Sequence, residues 1–126
     1  MSYHLFLDDI RLPGEVTWVQ LPRPLEPWKI VRNFDQFVSA IKCHGLPEFI
    51  AFDHDLSYEH YLTAGEETIN YSTFGEKTGL DCAKWLVEYC RDLKVPLPRY
   101  VVHSMNPAGC RNIESYLDSY SRISQL

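Results

Sequence analysis

The chain has 126 residues, 45% of them hydrophobic and 23% charged, which suits one globular domain that buries a core without disulfide or metal staples. Its formal net charge of −5 excludes a broad footprint on duplex DNA, which needs clustered Lys and Arg to displace counterions from phosphates. A small phosphorylated ligand stays compatible with that charge, because one local site can be basic in an acidic protein. No apolar stretch nears the roughly 20 residues of a membrane span, and the first residues carry no basic stretch followed by a long apolar run. Cys43, Cys82, Cys90 and Cys110 form no CxxC and no pairing with histidine at metal-ligand spacing. The expectation is a cytoplasmic protein with free thiols and no membrane partner.

In chain order, the first predicted element is a strand, Tyr3 to Leu7, ending abruptly at Asp8 and Asp9. Residues 10–27 follow with Pro13, Pro22, Pro24 and Pro27, which predicts a stiff extended excursion rather than a helix. Trp28 to Arg32 reads as a weaker strand with interleaved polar residues, as nearer an edge. Asn33 caps a predicted helix whose Phe34, Phe37, Val38 and Ile41 form one stripe, and Gly45 ends it. Phe49 to Phe52 is the second buried strand, ending at Asp53, His54 and Asp55. Residues 56–77 form a second long connection, rich in Tyr58, His60, Tyr61, Tyr71 and Phe74, and read as a lid. Thr78 with Asp81 resembles a capping pair for a helix bearing Leu80, Ala83, Leu86, Val87 and Cys90. Tyr100 to Val102 is the last strand, ending at His103 and Ser104. Asn106-Pro107 then caps a final helix with Ile113, Tyr116, Leu117 and Tyr120 on its stripe. This alternation predicts a single α/β domain: a three-layer open parallel sheet of about four strands, helices on both faces, and right-handed crossovers.

Ligands of open parallel sheets bind outside the carboxyl ends of the strands. Three polar clusters fall at such ends here, so one pocket is expected to gather Asp8, Asp9, Asp53, His54, Asp55, His103 and Ser104. Adjacent carboxylates suit a hard cation such as Mg²⁺, and Asp8, Asp9 and Asp53 are the candidate ligands. A metal-free arrangement, with carboxylates holding histidine tautomers, is the other reading. Strand alternation points Asp53 and Asp55 one way and His54 the other, unless the chain turns at Asp53. His54 and His103, with Asp53 and Asp55, are the candidate groups for proton transfer in phosphodiester cleavage. Ser104, Asn106 and Gly109 begin the last helix, whose N-terminus offers N–H groups to a phosphate. Arg11 and Arg111 are the candidate phosphate clamps, or else partners of the carboxylates.

The run LFLDDIRLP (5–13), the acidic end of the middle strand and the serine closing the next strand resemble a response-regulator receiver domain. In that family an acidic pair and one aspartate hold Mg²⁺, and the aspartate accepts phosphate; Asp8, Asp9 and Asp53 match those positions, with Ser104 near the hydroxyl residue. No fifth strand with the family's lysine is evident. The fuller pattern, LFLDDIRLP, FDHDL (52–56), TGLDCAKWLVEYC (78–90) and VHSMNPAGCRNI (102–113), is closer to an offshoot, the cyclic-phosphate-processing receiver-like domains. That resemblance implies a receiver/flavodoxin-like fold and a phosphoesterase acting on a cyclic phosphate of a nucleotide or RNA terminus. The alternatives are a signalling receiver phosphorylated on Asp53 and a non-catalytic nucleotide-binding module. Oligomeric state is not legible in the sequence.

Overall fold

The computed structural model describes residues 3–22, 28–56 and 78–124. Four strands, β1 (His4–Leu7), β2 (Lys29–Val31), β3 (Phe49–Phe52) and β4 (Arg99–Val102), form one sheet in the order β2-β1-β3-β4, with all neighbours parallel. Three helices accompany them: α1 (Phe34–His44), α2 (Gly79–Leu93) and α3 (Pro107–Ser124). β3 is buried at all four residues, as an apolar run in the middle of a covered sheet should be. β2 is exposed at Lys29 and lies at the sheet edge, which agrees with its interleaved polar residues.

The helix ends form where the capping residues stand. Asn33 Oδ1 accepts the Gln36 N–H at 2.8 Å, and Gly45 ends α1 at φ 85°, a conformation that favours glycine. Thr78 and Asp81 form the reciprocal box at the start of α2, with the Thr78 N–H donated to Asp81 Oδ2 at 2.8 Å. Asn106 Oδ1 accepts the Gly109 N–H at 3.0 Å, and Pro107 opens α3.

Alternation along the strands divides the core in two. Leu5, Leu7, Val31, Ile50, Phe52 and Val102 face a cluster supplied by Phe37, Ala40 and Ile41 of α1, Leu86, Val87 and Cys90 of α2, and Ile113 and Leu117 of α3. Phe6, Phe49 and Ala51 face the other way and pack with Val16, Leu21 and Trp28. The receiver/flavodoxin-like parallel sheet therefore stands, but the expectation of helices on both faces needs correcting. Among the described residues all three helices lie on one face, and the segment 10–22 with Trp28 covers the other. The prolines explain it: the β1–β2 connection lacks the unbroken donors of a long helix, and its described residues contribute a 3-10 turn, Pro13–Glu15, and no longer helix. The lid expected over 56–77 lies outside the described residues, apart from Leu56, which is buried.

All four cysteines are free, with Cys82 and Cys90 buried in α2 and burial pushing the Cys90 thiol up to about 11. No helix of the described residues is long and apolar enough to cross a membrane.

One glycine controls how α2 meets the sheet. The Gly79 N–H donates to the His54 carbonyl at 2.8 Å, and a Cβ on Gly79 would stand 1.7 Å from the Asp53 carbonyl oxygen. Backbone cannot yield there as a flexible side chain does. Gly79→Ala is expected to destabilise the domain by about 3 kcal/mol, at the upper end of overpacking effects, as read by denaturant melts. An unchanged midpoint would contradict this close approach.

Candidate functional site

Asp8, Asp53 and His103 follow β1, β3 and β4 directly, so the sheet order sets them side by side. Asp8 is fully buried. Its Oδ1 accepts the N–H groups of Ile10 and Arg11 at 3.0 and 2.9 Å, the local turn that aspartate favours after a strand. Its Oδ2 meets His103 Nε2 at 2.9 Å and the Arg11 guanidinium at 3.3 Å. Burial works to raise the Asp8 carboxyl, but the His103 hydrogen bond and the two backbone N–H groups together hold it well below the usual carboxylate range.

Asp9 and Asp53 are pushed the opposite way. Burial first, then the charge of Asp8, raises the Asp9 carboxyl to about 6, and Asp9 Oδ2 is buried with no hydrogen-bond partner. The same two causes in the same order raise Asp53 to about 6, against the lowering effects of His103 and of the His54 N–H, which donates to Asp53 Oδ1 at 2.8 Å. The site therefore holds more negative charge than its own cations offset.

A cleft of about 720 Å³ opens over these groups, lined by Asp9, Ile10, Arg11, Asp53, Asp55, Ser104, Met105, Asn106 and Pro107. Three carboxylates face one guanidinium in that lining, and the guanidinium is already shared with Asp8. Ser104 Oγ accepts the Asn106 N–H at 3.1 Å, and Asn106 Nδ2 reaches Asp55 Oδ1 at 3.5 Å.

The two histidines stand behind this lining. His103 has no exposed surface; its ring stacks on Phe6 at 4.8 Å between centroids, and Nδ1 has no partner. His103, expected to transfer protons in the cleft, does not line it; its Nε2 is held by Asp8 at 2.9 Å, behind Asp53. The strand stops at Phe52, so the alternation of a continuing strand does not hold through Asp55, and His54 stands at a bend beyond it. Its imidazole turns from Asp53 toward α3, so close that a Cβ on Gly109 would stand 2.4 Å from its Cγ. It remains tied to the site through Nδ1, 2.9 Å from Asp55 Oδ1.

Two expected phosphate ligands are not brought to the cleft. Arg111 is exposed on α3 outside the lining, and the Gly109 N–H is taken by Asn106 Oδ1. Helix periodicity accounts for Arg111, which stands beyond the first turn of α3.

Three positions with no sequence signal of their own complete the site. Arg32 Nη1 donates to the carbonyls of Asp8 and Arg11, at 3.1 and 2.6 Å, and so fixes the loop after β1. Trp18 Nε1 donates to the His103 carbonyl at 2.7 Å, while the Arg11 guanidinium lies 5.2 Å from the centre of the Trp18 ring. Gly79 sets the backbone behind Asp53.

A family model for the cyclic-phosphate processing receiver domain matches residues 3–119. The chain belongs to that family. The match runs from before β1 into α3. No curated protein and no solved structure gives a significant match. Within this receiver domain one ligand atom each from Asp8, Asp53 and His103 lies within 4.8 Å of the others, a group able to hold a metal ion. Asp9, expected among the ligands, is not part of that group; it lines the cleft, and its Oδ2 is buried without a partner.

Proposed function

We propose that the chain is a phosphoesterase that hydrolyses a cyclic phosphate of a nucleotide or RNA end. The observation carrying this reading is that Asp55, backed by His54, lines the same cleft as Arg11, Ser104 and Asn106. A proton acceptor thus faces groups suited to a phosphoryl oxygen: a guanidinium, a hydroxyl and a side-chain amide.

The residues fit a divalent cation. Asp9 and Asp53 both hold protons more tightly than free carboxylates, and one buried oxygen of Asp9 is orphaned, so positive charge between them relieves both. Mg²⁺ prefers oxygen donors, and His103 Nε2 is committed to Asp8, so Asp9 and Asp53 would hold it. Such an ion supplies Lewis-acid polarisation of a phosphoryl oxygen and offsets the carboxylate charge that an anionic substrate meets.

The protein's own groups divide the remaining work. Arg11, Ser104 and Asn106 bind the phosphate. Water attacks phosphorus, Asp55 takes its proton with His54 steadying the carboxyl, and the bond to one ester oxygen breaks. The proton then passes to that leaving oxygen, and the product is a phosphomonoester. His103 acts as a positioning residue by holding Asp8, which shapes the Ile10–Arg11 turn.

Turnover of adenosine 2′,3′-cyclic phosphate with Mg²⁺ is the test. Monoester product is expected, with loss of at least 100-fold in kcat for Asp55→Asn, within the range for removing a general base. Chelation should stop the reaction, and Mg²⁺ should raise the melting temperature of the resting protein, because a ligand of the folded state stabilises it. Tight binding without turnover would favour a nucleotide-binding module instead. Phosphoryl transfer to Asp53 is the weaker reading, since no lysine lines the cleft among the described residues.

A further inference from the structure

The cleft has an apolar rim that its phosphate chemistry does not use. Ile10 is 51% exposed and Met105 is 65% exposed, and both line the cleft. Ile10 follows the acidic pair after β1, and Met105 follows Ser104 after β4. Because β3 lies between β1 and β4, the segments carrying Ile10 and Met105 lie on either side of the one carrying Asp53 and Asp55, at the carboxyl end of that strand. Single exposed apolar residues are ordinary, but here several share one side of the site: Leu12 and Trp18, at 49% and 41% exposure, neighbour Ile10 on the Arg11 side, and apolar surface gathered at a groove marks a place where a ligand binds.

We propose that Ile10 and Met105 form a clip for the nucleobase of a mononucleotide substrate, an inference that rests on the hydrolytic reading above. A flat heteroaromatic ring between an isoleucine and a methionine buries apolar area on both faces, and thioether sulfur packs favourably against aromatic rings. The volume agrees. At about 720 Å³ the cleft falls within the roughly 300–1,000 Å³ of sites for whole small-molecule ligands, so it has room for far more than a phosphate group. A single nucleotide is favoured over an RNA strand by charge: the lining has three carboxylates to one guanidinium, the chain carries −5, and a strand needs cations along its path.

Three probes separate these possibilities: adenosine 2′,3′-cyclic phosphate, glycerol 1,2-cyclic phosphate, and a short oligoribonucleotide ending in a 2′,3′-cyclic phosphate. The wild-type chain is expected to prefer the mononucleotide over the glycerol ester at least tenfold in kcat/KM, which is about 1.4 kcal/mol of selective binding. The double variant Ile10→Ser, Met105→Ser should raise KM for the mononucleotide about tenfold, hold kcat, and leave the glycerol ester unaffected. Both side chains are exposed, so an unchanged melting temperature will confirm that the fold survives. Equal kcat/KM for the two small probes, or equal losses on both in the variant, would overturn the clip while the hydrolytic reading stands. Preference for the oligoribonucleotide would overturn the mononucleotide assignment. If neither small probe turns over, calorimetric titration reads the clip directly: tighter binding of the mononucleotide that collapses in the double variant supports it, and equal affinities contradict it.

Discussion

Asp8→Ala is expected to lower stability by about 3 kcal/mol and to abolish turnover of a cyclic phosphate. Asp8 and His103 have no exposed surface, and their contact at 2.9 Å is the centre of a buried polar network. Removing one member of such a pair strands the other in apolar surroundings, here against Phe6, and typically costs about 3–5 kcal/mol. The same substitution releases the N–H groups of Ile10 and Arg11 and frees the guanidinium, so the loop that carries Arg11 loses its anchor. For a domain of this size the loss corresponds to a melting temperature roughly 12 °C lower. Asp8→Asn is the informative control, because an amide oxygen can still accept the two backbone N–H groups. It should retain more stability than alanine, and the difference measures the turn separately from the charge. The direction with pH also follows. The folded Asp8 carboxyl titrates well below its ordinary value, so its contribution is complete above about pH 4 and is lost as pH falls further. A fully active, equally stable Asp8→Ala protein would contradict the buried network.

Asp53→Asn is expected to do the reverse to stability while also abolishing turnover. Its carboxyl sits at about 6 rather than 3.8 because burial and the charge of Asp8 disfavour the ionised form. The folded state therefore binds this proton more tightly than the unfolded chain does. Stability attributable to Asp53 is full below about pH 4, declines between about pH 4 and 6, and stays low above that. The rise from 3.8 to about 6 sets an upper figure of about 3 kcal/mol for the stabilisation by asparagine above pH 7 in metal-free buffer. The gain should shrink toward zero near pH 4, and the asparagine oxygen can still accept the His54 N–H. Melts at pH 4 and pH 7.5 check this directly. A variant less stable than the parent at pH 7.5, without metal, would show that the excess carboxylate charge has been misread. Stability given up at functional sites is a common pattern; Asp53 fits it, whereas Asp8 stabilises the fold.

The strands and their polar ends were legible because each buried run breaks off abruptly: Leu7 into Asp8, Phe52 into Asp53, Val102 into His103. Helix boundaries were legible through Asn33, Thr78 and Asn106, whose side chains do the capping that their positions announced. The direction of His54 was open in the sequence, because it depended on where β3 stops, and the bend after Phe52 sets its imidazole beside Gly109 and Asp55. The one-sided helix layer was not legible as such. The prolines after β1 spoke against a helix there, but nothing local said that Val16, Leu21 and Trp28 would close over the second face. The depth of His103 was hidden for a similar reason. A histidine after a strand reads the same whether it faces solvent or packs on Phe6, and only the register of β1 with β3 and of β3 with β4 decides it. Arg32 and Trp18 act on backbone carbonyls distant in sequence, contacts that leave no pattern in residue types.

The central claim is that water, activated in the cleft, opens a cyclic phosphate. Its most direct test is ³¹P NMR of adenosine 2′,3′-cyclic phosphate incubated with the full chain and Mg²⁺ in ¹⁸O-labelled water. Conversion to a single class of monoester with one labelled oxygen on phosphorus is expected, and no conversion with Asp55→Asn on the same timescale. Persistence of the cyclic phosphate resonance, or a monoester without label, would contradict it.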